Sequence, residues 1–452
     1  MEALRISSYV IIIPLNEQHE KYMLVHGYTG AIDIVDRSVI KFLYEGDWHQ
    51  QSKSLLDNLV RRGYLTTRTK EEEQNYVHQV ANILLKRNKL MAVKSFTLLV
   101  TYDCNFCCPY CFEQSVMKQE YGKSMTISKE FVDKFFEVIP LIEPNEKLRN
   151  KSISLFGGEP LLKENKCIVE YIVYEGRKRG YSFIATSNGY DLDSYEDLLH
   201  QDLIRGVQIT LDGNKEMHDT RRIHSVHGGS FDKIIENIKL ALKKDIAIKI
   251  RINVDGNNIN ELLSLESFFE QEGLYQYDKF SAYAAYISGC VNFNPETYEL
   301  TNVKRISQKE FLEFFNKTNL KIKYEQQLYS NFYYALEKKK PLSMSSSYCN
   351  ARFGSFIFDP LGYIYSCLEV VGRKAECIGT YINGLSWKES NKWFGHDVNA
   401  LKSCSKCKYE LLCGGGCFAK ALTNESSSYC DDYAIRLNSV ARNLYFTFCE
   451  TV

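Results

Sequence analysis

Four cysteines stand within eight residues of the stretch TYDCNFCCPYCFEQ, residues 101–114. Cys104, Cys108 and Cys111 give the spacing C-x3-C-x2-C. Three thiolates on one short loop can hold three irons of a [4Fe–4S] cube and leave the fourth iron open to a small chelating molecule. A zinc site more often offers two paired C-x2-C arms. Cys107 also reads as C-x2-C with Cys104, but as a ligand it would crowd Cys108. The expectation for it is a small, buried apolar side chain. Eight further cysteines lie between Cys349 and Cys430, and Cys167, Cys290 and Cys449 are scattered. In a chain of 452 residues with 15 cysteines and no signal-peptide pattern, metal or redox chemistry is expected before a disulfide framework.

Charge narrows the function classes. The chain carries 56 basic and 56 acidic residues, which argues against a dedicated binder of nucleic acid or anionic membrane. No apolar window is long enough for a membrane-spanning helix, and a cytoplasmic protein is expected.

The elements that must position these thiols follow from periodicity. SFTLLVTY (95–102) is a buried strand that ends at the first cysteine loop. SISLF (152–156), SFIATS (182–187), GVQITLD (206–212), AIKIRINVD (247–255) and FSAYAAYI (280–287) are further strands. Helices are expected between them at KEFVDKFFEVIPLI, 161–179, 194–203, 230–243 and 260–272. Six βα units predict an α/β chain with a parallel sheet curling into a partial (β/α)6 barrel of the TIM type, with its site at the C-terminal strand ends. Residues 1–90 read as a separate winged-helix-like module of early strands followed by short amphipathic helices, 95–305 as the barrel, 306–345 as a helical bridge, and 346–452 as a Cys-rich domain.

C-x3-C-x-φ-C with Tyr110 at φ, placed just after the first strand of such a barrel, resembles the radical S-adenosylmethionine (SAM) enzymes. The resemblance implies a [4Fe–4S] cluster on Cys104, Cys108 and Cys111 that binds SAM and cleaves it reductively to a 5′-deoxyadenosyl radical. FGGEP (156–160) is similar to the family's SAM-amino motif, which points to Gly157, Gly158 and Glu159. SNG (187–189) implies Ser187 and Asn188 toward the ribose. TLDG (210–213) followed by HDTRR (218–222) implies Thr210 and Arg222, with Arg221 as the rival, toward the SAM carboxylate. Arg251 and Asn253 fall near the same mouth.

The C-terminal cysteines resemble the family's SPASM extension: Cys349, then Gly362-x4-Cys367, then Cys404-x2-Cys407-x5-Cys413-x3-Cys417, then Cys430. The resemblance implies two auxiliary [4Fe–4S] clusters, three clusters in all. The outer one would use Cys404, Cys407, Cys413 and Cys430, and the inner one Cys349, Cys367 and Cys417. The inner cluster's fourth position is either open to a substrate thiolate or closed by Cys377, with Cys290 as another candidate. Cys167 and Cys449 are expected to be packing residues.

SPASM-bearing relatives mostly modify peptides or proteins, and the N-terminal module is similar to a leader-peptide recognition element. The implied partners are a precursor peptide with a leader and an external electron donor of flavodoxin or ferredoxin type. The expected reaction is thioether crosslinking of peptide cysteines. Carbon–carbon crosslinking, sulfatase-type formylglycine formation and a non-catalytic peptide-binding or electron-transfer scaffold are the alternatives.

Overall fold

The computed structural model describes residues 4–449 except 17–19, 47, 49–51, 112, 114–124, 288–303, 319, 325–326, 390, 424–428 and 431–432. The N-terminal residues supply β1 (Arg5–Ile6), β2 (Val10–Asn16), β3 (Lys21–His26), β4 (Ile32–Asp36), α1 (Arg37–Glu45), α2 (Lys53–Arg62), β5 (Leu65–Thr66) and α3 (Lys70–Met91). β2, β3 and β4 form an antiparallel sheet in that order, and β1 pairs with β5. Strand alternation gives the sheet two apolar faces. Val10 and Leu24 pack with Ile40, Leu43, Leu59 and Tyr64. Ile11, Ile13, Leu15, Met23 and Val25 join the main core instead. The sheet is therefore held between its own helices and the body of the protein. α3 starts on a capping box in which Thr69 and Glu72 satisfy each other's backbone N–H groups.

The barrel strands are β6 (Ser95–Thr101), β7 (Ser152–Gly157), β8 (Ser182–Ser187), β9 (Ile204–Thr210), β10 (Ala247–Val254) and β11 (Phe280–Tyr286), with short β12 (Lys323–Tyr324) after them. All are parallel and lie side by side in chain order. β10 shows why the sheet curls around a polar interior. Ile248, Ile250, Ile252 and Val254 are fully buried, while Lys249, Arg251 and Asn253 alternate with them and remain half-exposed on the other face. The fold is the expected α/β partial barrel. One connection differs: 194–203 is not a helix, and only a 3₁₀ turn at Leu192–Tyr195 forms there. Tyr195 donates to the Leu162 carbonyl at 2.5 Å, and Leu198 and Leu199 reach the core from successive turns, so no further helical turns are needed to bury them. The expected helical bridge, 306–345, is interrupted: its first helix stops at Lys317, and the chain extends into β12.

The Cys-rich region adds β13 (Ser355–Phe358), β14 (Tyr363–Tyr365), β15 (Gly379–Thr380) and β16 (Ser386–Trp387). β13 pairs parallel with β6, and the others follow antiparallel, so barrel and Cys-rich region share one eleven-stranded sheet. The chain closes with a helix, Tyr433–Cys449, that lies against β2 and whose Arg442 donates to the Pro14 carbonyl at 2.8 Å.

The N-terminal module is docked on the Cys-rich region. Tyr9 donates to Glu410 at 3.2 Å, and Gln74 to the Ser405 carbonyl at 2.8 Å. At Gly27 the two backbones approach so closely that a Cβ would lie 2.1 Å from the Lys408 carbonyl oxygen.

Candidate active site at the barrel mouth

The ends of β6 and β7 are stitched together by FGGEP. Gly158 N–H donates to the Thr101 carbonyl at 3.0 Å, and Glu159 N–H to Asp103 at 2.7 Å. A Cβ on Gly157 would sit 2.1 Å from the Thr101 oxygen, and one on Gly158 2.3 Å from the Asp103 oxygen. Both glycines thus let β7 lie against the first residues of the cysteine loop. The Glu159 side chain is 1% exposed and ties this corner to β8. It accepts from Leu161 N–H at 2.9 Å, Ser187 Oγ at 2.8 Å and Asn188 N–H. Burial pushes its carboxyl up to about 7, against the pull of these bonds. Asn188 donates onward to Asn105 in the cysteine loop at 2.7 Å. Glu159, Ser187, Asn188 and the loop are therefore one connected corner.

On the opposite side, β9 and β10 supply a charged network around Tyr110. The Tyr110 hydroxyl donates to Asp212 and accepts from Arg222 at 3.0 Å and Asn253 at 3.5 Å. Asp212 also takes the Asn253 backbone N–H at 2.9 Å. The two arginines of HDTRR divide their partners. Arg221 makes a buried ion pair with Asp255 at 2.8 Å and approaches Asp212 at 3.6 Å. Arg222 lies over the Phe106 ring at 5.5 Å, and its buried Nε has no hydrogen-bond partner among the described residues. Arg251 donates to Asn253 Oδ1 at 2.8 Å and stays half-exposed. Thr210 closes β9, opposite Arg251 in the sheet register.

The thiols fall into three groups. Burial raises Cys104, and Glu159, Cys108 and Cys111 add to the rise. Cys104 is accessible although it lies deep in the protein. Burial likewise raises Cys367, with further pressure from Glu369, Cys349 and Cys417. Cys404 is raised by burial and by Cys407, Glu410 and Cys430, and Cys413 feels Cys404. Buried thiols that press on one another need a cation before they ionise. Among the described residues no three His, Cys, Asp or Glu side chains meet around a point that one ion could fill.

A run of three left-handed glycines, Gly414, Gly415 and Gly416 (φ 76°, 91° and 79°), interlocks the last two groups. A Cβ on Gly414 would meet the Ser347 backbone at 2.4 Å, and one on Gly416 the Tyr429 carbonyl oxygen at 1.8 Å. The loop from Cys413 to Cys417 is thereby pressed between the segments carrying Cys349 and Cys430.

Two cysteine expectations are corrected. Cys107 is exposed, not buried. Its N–H is fixed to the Ile223 carbonyl at 2.8 Å, and with its neighbours Phe106 and Cys108 turned into the core its own side chain is left outside. Cys167 is exposed on its helix, not packed, because Val169, Ile172 and Val173 take the buried face. Cys377 is buried in the main core, against which Cys367 and Cys417 also pack. Cys290 and the Cys449 side chain lie outside the described residues.

Comparisons with known proteins agree with this geometry. A family model described as a 4Fe-4S single cluster domain matches residues 94–236. The cysteine-type anaerobic sulfatase-maturating enzyme of Clostridium novyi is 25% identical over 72% of this chain and 88% of its own length. The radical SAM cyclopropyl synthase TigE of Paramaledivibacter caminithermalis is 20% identical over 92% of this chain and 89% of its own. The chain is thus similar to radical SAM enzymes of the SPASM-type maturase kind. Its fold matches that of Streptococcus suis SuiB bound to the precursor peptide SuiA, with a TM-score of 0.54, 15% identity, and coverage of 96% of this chain and 100% of that one. The matched family model is that of a 4Fe-4S domain, and a solved structure of similar fold, anSMEcpe, holds bound AdoMet. No helix among the described residues of this chain is long and apolar enough to cross a membrane.

Missing from the sequence-based site are Asp212 and Asp255, which hold Tyr110 and Arg221. Asp212 was inside a quoted motif, TLDG. Its buried contact with an aromatic 102 positions away leaves no local signal.

Proposed function

We propose that this enzyme modifies a ribosomally made precursor peptide by forming thioether crosslinks from peptide Cys sulfur to a carbon of another residue. The observation that supports the reading is the inner thiol group, in which Cys367 lies within electrostatic reach of both Cys349 and Cys417. A cube held by those three thiolates keeps one iron for an outside ligand, and thiolate is a soft, strong one. Residues 346–452 then act as a domain with two auxiliary clusters, the outer one on Cys404, Cys407, Cys413 and Cys430, beside a barrel at 95–305 and a bridge at 306–345.

At the barrel, Cys104, Cys108 and Cys111 would hold the SAM cluster, which with SAM supplies the 5′-deoxyadenosyl radical. Gly157, Gly158, Glu159, Ser187 and Asn188 shape one wall of the SAM pocket. Thr210, Asn253 and Arg222 shape the other, where the unpartnered guanidinium nitrogen favours an anionic group.

Residues 1–90 would bind the leader. β4 is an edge strand that pairs only with β3 among the described residues, and Ile34 on it is 40% exposed. An extended peptide can add there by backbone hydrogen bonds, and capture raises the local concentration of the segment to be modified. The near full-length likeness to SuiB, whose structure holds a precursor peptide, supports a peptide substrate over a sulfatase. A flavodoxin- or ferredoxin-like protein is the expected reductant.

The test is co-expression with each small Cys-containing peptide encoded beside the gene, followed by iodoacetamide labelling and intact mass. Thioether formation removes two hydrogens and one alkylatable thiol per link, and Cys377→Ala leaves it intact. Loss of two hydrogens with every thiol still reactive would replace the reading with carbon–carbon crosslinking. A hydrazide-reactive aldehyde would replace it with formylglycine formation, the reading favoured by the Clostridium novyi relative.

A further inference from the structure

Arg221 and Arg222 of HDTRR reach the barrel mouth with their own side chains, while His218 of the same run is fully buried behind them. Its Nδ1 lies 3.3 Å from the Asp212 backbone nitrogen and must accept from that N–H. Its Nε2 lies 3.0 Å from Ser230 Oγ. The one proton of the Ser230 hydroxyl goes to the Arg222 carbonyl at 2.8 Å, so Ser230 accepts from Nε2–H. A single tautomer of the neutral ring satisfies both ends. A protonated ring would set Nδ1–H against the Asp212 N–H.

The imidazole therefore joins three points: the backbone just beyond β9, the N-cap of the helix Phe231–Lys243, and the carbonyl of Arg222. The next residue, Asp219, fixes the same N-cap by accepting from Ser230 N–H at 2.7 Å and Phe231 N–H at 2.9 Å. Asp212 and Arg222 are also the residues whose side chains hold the Tyr110 hydroxyl. Tyr110 stands on the cysteine loop between Cys108 and Cys111.

We propose that His218 is a positioning residue for SAM cleavage, holding Asp212 and Arg222 around Tyr110 and so fixing the cluster loop and the wall on which SAM binds. This rests on the cluster role of Cys104, Cys108 and Cys111 and not on the identity of any peptide.

The experiment uses the full chain with clusters reconstituted anaerobically, as wild type, His218→Phe, His218→Asn and Ser230→Ala. Two readouts are taken without peptide: the electron paramagnetic resonance spectrum of the reduced protein with and without SAM, and KM and kcat for reductive release of 5′-deoxyadenosine. His218→Phe fills the space but makes neither hydrogen bond. It should raise KM for SAM about tenfold, as expected for a lost buried hydrogen bond, with a smaller change in kcat, and alter the SAM-induced spectral shift. His218→Asn, which can still accept from the Asp212 N–H, should recover part of that loss. Ser230→Ala should show a smaller change in the same direction. An unchanged KM and spectral shift in His218→Phe, or no recovery in His218→Asn, would overturn the proposal. If His218→Phe does not fold, Ser230→Ala decides: a raised KM supports the relay and a wild-type KM ends it. Cleavage by the wild-type chain tests the cluster assignment separately, because His218 is judged on the ratio of variant to wild type.

Discussion

Cys104, Cys108 and Cys111 sit on one short loop, whereas Cys349, Cys367 and Cys417 are drawn from three separate segments of the Cys-rich region. The barrel loop is braced from outside itself, by Glu159 and Asn188 on one side and by the Tyr110 network on the other. The C-terminal thiols lie on loops that the N-terminal module touches, through Gln74 on the Ser405 carbonyl and Tyr9 on Glu410. They meet because the glycines 414–416 let one loop press against two others. A local motif on a rigid scaffold can exist before its metal. Interleaved ligands form together with the fold, so metal and fold should stabilise each other in the second region more than in the first.

The largest expected effect tests the barrel side. Replacing Cys104, Cys108 and Cys111 together by Ala should abolish 5′-deoxyadenosine release, measured by chromatography, while the circular dichroism of the chain stays close to wild type. Loss of the fold in this variant would erase the contrast between the two regions.

Gly416→Ala is the matching test of the Cys-rich side. The added methyl would collide with the Tyr429 carbonyl oxygen, at a backbone φ of 79° that Ala disfavours. On the proposed three-cluster reading, iron content should fall from about twelve to about four per chain if both auxiliary cubes depend on this loop, and the melting temperature should drop with it. Retention of full iron with a lower melting temperature would show that the glycine serves the fold alone.

A smaller effect comes from the docked N-terminal module, which is built without thiols. There His26 accepts from Thr29 N–H at 3.2 Å and pairs with Ser7 Oγ at 2.9 Å, and Ser7 donates to buried Glu73 at 2.5 Å. Burial lowers His26 from its usual value to about 4. A histidine whose folded value is depressed contributes stability above its unfolded value, and that stability is lost as pH falls toward the folded one. Urea unfolding followed by near-ultraviolet dichroism should lose about 1 kcal/mol between pH 7 and pH 5.5 from this group. His26→Gln should flatten that part of the pH dependence, and an unchanged profile would show that the ring is not the titrating group.

Much of the barrel was legible because each motif marks the end of a strand. GGEP follows β7, SNG ends β8 and TLDG ends β9, and the parallel order of the sheet then brings them to one mouth. The buried strand β6 was read from its run of apolar and β-branched residues. What stayed hidden depends on pairings distant in sequence. Nothing local at SFIF (355–358) says that it will lie beside β6. The exposure of Cys107 is set by a hydrogen bond to Ile223, across a loop more than a hundred residues away. The missing helix at 194–203 carried a good apolar spacing, but turns held by Tyr195 bury the same leucines.

The parallel pairing of β13 with β6 bears on how the protein can be divided. A chain shortened to end before residue 346 would leave Ser95–Leu98 as a bare, apolar strand edge, a template for self-association. Barrel-only versions of this enzyme should therefore precipitate or form inclusion bodies, and exchange of the Cys-rich half with that of a relative should succeed only when the donor brings its own β13 in register.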